Sequence, residues 1–125
     1  MRAAAILGLL LAPLMAPLLA PRTAAAAPPP LGKVDGAQLC VAIGDAAPSC
    51  GPVELEWRRT GRARIRVSDI VYTLSLRTSQ VDVALQHGAM EIDAFTGAFE
   101  WDGDTLRFVD AAKNMRYEVR PGRAR

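Results

Sequence analysis

Residues 81–119 read VDVALQHGAMEIDAFTGAFEWDGDTLRFVDAAKNMRYEV, and the fold turns on how that stretch alternates. Apolar and polar side chains follow one another with a period of two, broken only at turn-forming residues, which is the pattern of strands with one buried face. Val81, Val83 and Leu85 share a face, and after His87-Gly88 the alternation resumes with Met90, Ile92 and Ala94. Pairing Gln86 with Ala89 would set Leu85 opposite Met90, Val83 opposite Ile92 and Val81 opposite Ala94, keeping every large apolar residue on one side. A second hairpin is expected across Asp102-Gly103-Asp104, with Phe99 and Trp101 facing Leu106 and Phe108. A third should run through Asp110–Asn114 to Met115, Tyr117 and Val119.

Working outward, Val53, Leu55 and Trp57 can face Val67, Ile65 and Ala63 if Arg59-Thr60-Gly61 is a three-residue loop with Gly61 left-handed. On the other face Glu54 would then meet Arg66, and Glu56 would meet Arg64. Beyond Val67 the apolar parity slips by one residue, so Ser68-Asp69 must hold a bulge or a tight corner. Ala37–Ile43 supplies a first strand. The count is about eight short antiparallel strands and no helix. An all-β domain follows: a small antiparallel meander curled into a barrel or strongly curved sheet, with a two-sheet sandwich as the alternative.

The start of the chain has a different character. Met1-Arg2 precedes an uncharged run rich in Leu and Ala that ends in Ala24–Ala27, the layout of a secretory signal peptide over residues 1–26, with cleavage expected after Ala26 or a neighbouring Ala. Pro13, Pro17 and Pro21 argue against a retained spanning helix. Residues 27–36 are Pro-rich and read as an extended, disordered leader, 37–121 as the single β domain, and 122–125 as a basic tail. Arg2 and Arg22 would leave with the signal, so thirteen basic residues would face thirteen acidic ones in the mature chain. Behind such a signal, Cys40 and Cys50 are expected to form a disulfide, and the protein to be periplasmic or secreted. Neither the Cys-x-x-Cys spacing of redox pairs nor the ligand set of a tetrahedral zinc site is present.

No motif for catalysis or a cofactor stands out. His87, the single histidine, falls at a hairpin tip and is expected to have neither a nearby nucleophile nor an orienting carboxylate to complete a triad. Glu91 and Asp93 share a predicted strand face, and Asp102 and Asp104 share a turn. Such pairs can serve glycoside hydrolysis or bind calcium, although Asp-Gly-Asp is first of all turn chemistry. Phosphate loops, dinucleotide-binding glycine patterns and nucleophile elbows are absent from the sequence. No catalytic residue, metal or cofactor is assigned.

Charge is the remaining signal. Residues 58–77 carry six arginines against Asp69, whereas residues 78–106 carry six acids and no lysine or arginine. In the expected register Arg64 and Arg66 have Glu56 and Glu54 across the strand, which leaves Arg58, Arg59 and Arg62 uncompensated around the loop. Those three are the candidate binding residues, for a protein partner or small ligand of unknown identity, since export removes most nucleic-acid contexts. The sequence therefore reads as a binding or inhibitory module of the bacterial envelope. The alternatives are a structural part of an envelope or secretion assembly and, less favoured, a carboxylate-dependent hydrolase. In size and layout the chain resembles small envelope β-barrel proteins such as periplasmic lysozyme inhibitors and lipocalin-like modules. It lacks the inhibitors' Ser-containing loop motif, so no residue role carries over.

Overall fold

The computed structural model describes residues 29–122; the expected signal over 1–26 and residues 123–125 of the basic tail lie outside the described residues. Ten strands form: β1 (Gly32–Val34), β2 (Gln38–Ile43), β3 (Ser49–Pro52), β4 (Glu54–Arg58), β5 (Arg62–Val67), β6 (Ile70–Leu76), β7 (Gln80–His87), β8 (Met90–Asp102), β9 (Thr105–Asp110) and β10 (Met115–Arg120). They make one sheet in the order β1-β4-β5-β6-β7-β8-β9-β10-β2-β3, curled into a half-barrel. All neighbours are antiparallel, and from β4 to β10 the spatial order is the chain order, as a meander requires. The fold class is the one read from the alternation.

The strands beyond the expected eight are the short ones, β1 and β3. Gly32–Val34 lies in the stretch read as a disordered leader, yet it pairs with β4, with Lys33 opposite Glu56 and Val34 opposite Leu55. Pairing of this kind needs only main-chain groups, which composition does not report. It covers the β4 edge, and Val34 packs against the core. β3 pairs with β2 so that Cys40 lies directly opposite Cys50, and the two are joined by a disulfide.

Inward parity follows the apolar positions. Leu55, Trp57, Ala63, Ile65, Leu74, Val81, Val83, Leu106, Phe108, Tyr117 and Val119 are all buried in one cluster. All the aromatic residues, two Trp, two Tyr and three Phe, lie in that cluster or against it. Tyr117 is their hub: its ring stacks on Phe108 with centroids 4.8 Å apart and on Phe95 at 5.7 Å, and meets Tyr72 edge-on at 6.2 Å.

The β7–β8 hairpin departs from the expected register. His87 pairs with Met90 and Gln86 with Glu91, but Leu85 pairs with Asp93, so Ile92 is the extra residue of a bulge. Val83 therefore faces Phe95, not Ile92, and Val81 faces Gly97, not Ala94. Met90 and Ile92, read as inward, are 67% and 50% exposed. The alternation fits either register locally; the aromatic core decides, because Phe95, Phe99 and Trp101 can face inward only if the parity switches before them.

Candidate binding surface

The β4–β5 hairpin forms in the expected register, Glu54 opposite Arg66, Leu55 opposite Ile65, Glu56 opposite Arg64 and Trp57 opposite Ala63. Its loop turns through two left-handed residues, Thr60 at φ 58° and Gly61 at φ 69°. Burial of Leu55, Trp57, Ala63 and Ile65 fixes the strands and forces every charged residue between them outward. The outer face of this hairpin thus carries Glu54, Glu56 and Arg58 on one strand and Arg62, Arg64 and Arg66 on the next.

How those charges pair differs in part from the sequence reading. Arg66 reaches Glu54 at 3.7 Å, as expected. Glu56, however, accepts a hydrogen bond from Arg58 on its own strand at 3.3 Å and makes no ion pair with Arg64. Residues two apart on a strand point the same way, so Arg58 competes with Arg64 for one carboxylate. Of the three candidates, Arg58 is compensated, and directly opposes Arg62. Among the described residues Arg59, Arg62, Arg64 and Lys33 have no carboxylate within ion-pair distance. Arg64 is the functional candidate that counting cross-strand neighbours missed; the i, i+2 spacing of Glu56 and Arg58 is the signal that could have found it.

Two depressions mark this outer face. One, of about 460 Å³, is lined by Lys33, Arg64 and Arg66, by as many carboxylates, Asp35, Glu54 and Glu56, and by apolar residues that include Val34, Val53 and Val71. The other, of about 370 Å³, lies over β6–β8 between Thr73, Ser75, Asp82, Ala84, Ala94 and Thr96. Asp82 is held there by Arg77 at 3.0 Å and by the Thr96 hydroxyl, which donates to it at 2.6 Å.

The remaining candidates do not converge. His87 lies 3.3 Å from Asp69, a carboxylate eighteen positions away that the β5–β6 and β7–β8 turns bring to the same end. The Ser68 hydroxyl donates to Asp69 at 3.0 Å and not to His87, so nucleophile and base are not in contact. Those two hydrogen bonds, Ser68 first, hold the Asp69 carboxyl below its ordinary range. Glu91 and Asp93 do not share a face, because the bulge separates them: Asp93 turns inward opposite Leu85 and binds Lys113. That contact lowers Asp93 and raises Lys113 from their ordinary values. Lys113 also lies 3.9 Å from Asp110, the one buried charged residue among those described. Asp102 is held by Arg107 at 2.8 Å, which also bonds Glu118 at 3.1 Å, while Asp104 stays in the turn. Among the described residues no group of three or more His, Cys, Asp or Glu is placed to hold a metal ion.

No family model, curated protein or solved structure matches this chain.

Proposed function

We propose that the chain is an exported, disulfide-stapled β domain that works as a binding module, recognising an anionic partner through the outer face of the β4–β5 hairpin. The observation that carries this reading is the set of uncompensated cations, Arg59, Arg62 and Arg64, on a hairpin whose other face is locked in the core. Arginine on a rigid support makes bidentate contacts to carboxylates with little reorganisation, which is why it is enriched among interface anchors. Export rests on the leader pattern and on the Cys40–Cys50 bridge, since disulfides persist in oxidising compartments.

The test is capture from an envelope extract on immobilised wild-type protein and on a variant carrying Arg59→Ser, Arg62→Ser and Arg64→Ser. A partner held by the wild type at low salt, released as salt rises and lost by the variant supports the reading. Equal capture by both proteins, or capture insensitive to salt, overturns it.

A further inference from the structure

We propose that the Sγ atom of Cys50 is a site of thiol–disulfide exchange, and that a dithiol reductant acting there unlatches residues 47–52 while the rest of the curled sheet stays folded. The inference is independent of what the arginine face binds.

The two ends of the bridge lie in different surroundings. Cys40 is 1% exposed, in a strand that β10 pairs along its whole length. Cys50 is exposed on β3, the last strand of the sheet, whose one neighbour among the described residues is β2. Exchange requires the attacking thiolate to reach a sulfur, so access selects which sulfur is attacked. Here it selects Cys50 and makes Cys40 the leaving group.

A thiolate of the reductant bonds to Cys50 Sγ as the S–S bond breaks, and the electron pair leaves on Cys40 Sγ, which takes up a proton. The second thiolate of the reductant then attacks its own sulfur in the mixed disulfide and releases Cys50 as a thiolate, which is protonated in turn. Two electrons pass to the protein, the dithiol departs as a disulfide, and Cys40 and Cys50 are left as thiols.

Little besides the bridge holds β3. None of Ser49, Cys50, Gly51 and Pro52 is buried, and none belongs to the core cluster. The ladder to β2 is four residue pairs long, and Pro52, opposite Gln38, brings no N–H to it. Pro48, Gly51 and Pro52 are also poor strand formers.

Fixed points bound the segment on both sides. Gly44 donates its N–H to the Asn114 carbonyl at 2.9 Å, and the Arg116 guanidinium donates to the carbonyls of Gly44 at 2.9 Å and Ala46 at 3.5 Å. Val53 donates its N–H to the Ala37 carbonyl at 3.0 Å and packs against the core. Between them, residues 47–52 are exposed except for half-buried Gly51. β2 stays in place, because Leu39 is in the core cluster, Val41 packs against it and the β10 ladder is untouched. Reduction therefore frees one short segment and bares the β2 edge that it covered.

Hydrogen exchange of the wild-type protein with and without dithiothreitol tests the latch. On reduction the amides of Ser49, Cys50 and Gly51 should lose protection by about tenfold or more, while those of Leu74, Val81 and Val83 keep theirs. The variant carrying Cys40→Ala and Cys50→Ala should show the fast exchange at Ser49 and Gly51 with or without dithiothreitol. Unchanged protection at Ser49, Cys50 and Gly51 overturns the inference, as does loss of protection at Leu74, Val81 and Val83, which would make the bridge a clamp on the whole fold. The site of attack is read separately, by brief exposure to the monothiol glutathione, acid quenching, alkylation of free thiols in denaturant and peptide mapping. The glutathione adduct should sit on Cys50 and the alkyl group on Cys40. Adducts on Cys40, or on both in equal amounts, overturn the assignment.

Discussion

The α-carbon of Gly97 faces the main-chain carbonyl of Val109 so closely that a β-carbon built on it would lie 1.8 Å from that oxygen. This contact sits where β8 changes partner: up to Ala98 the strand pairs with β7, and from Phe99 onward with β9. One long strand can serve both halves of the curled sheet because it bends where no side chain intervenes. Gly97→Ala must therefore move main chain and should cost more than about 2 kcal/mol. Gly51→Ala is the matched control, because nothing lies within 4 Å of its added carbon, and it should stay within about 0.5 kcal/mol. Urea denaturation of the two variants decides between them.

The bulge at Ile92 separates two residues of similar hydrophobicity. Ile92→Thr should change stability by no more than about 0.5 kcal/mol, as at exposed positions generally. Phe95→Ala removes a ring stacked against Phe108 and Tyr117 and should cost about 3 kcal/mol or more. Equal losses in the two variants would mean that Ile92 faces the core after all.

The disulfide staples the β2–β3 hairpin to itself across a sequence separation of 10. On the chain-entropy account a loop of that size stabilises the fold by about 2–3 kcal/mol. Replacing both Cys40 and Cys50 by Ala should lower the denaturation midpoint accordingly. Since Cys40 is buried and Cys50 exposed, the change should be read at equilibrium, with reduced wild-type protein as a second measure.

Alkaline pH should destabilise the protein through its tyrosines. Burial, with smaller contributions from Tyr72, Asp110 and Asp93, pushes Tyr117 from 10.0 up to about 12, and burial raises Tyr72 as well. A group whose value is raised on folding gives stability that is complete below its unfolded value and is lost as pH rises through the folded one. Stability should therefore fall from about pH 10 towards pH 12. Tyrosinate absorbance of the native protein should develop later than that of the urea-unfolded chain. Coincident titration curves would contradict the buried placement of Tyr117.

Strand identity was written in the sequence because alternation is a local property: each apolar residue at period two reports its own face. That was enough for the all-β class and for the register of the arginine hairpin, whose Gly61 and apolar pairs leave one solution; at Ser68-Asp69 it left a bulge and a tight corner open, and the pairing of Val67 with Ile70 decides for the corner. The even pair of cysteines behind a leader pattern was likewise enough to propose the bridge that joins β2 to β3. What only the tertiary structure decided depends on competition between distant groups. The inward face of β8 was settled by Phe108 and Tyr117, which reward Phe95 over Ile92; the pairing of β1 was settled by an open β4 edge; and the free charge of Arg64 was settled by which arginine reaches Glu56 first. In each case two local arrangements satisfy the sequence about equally well, and the choice is made by a contact whose partner lies elsewhere in the chain.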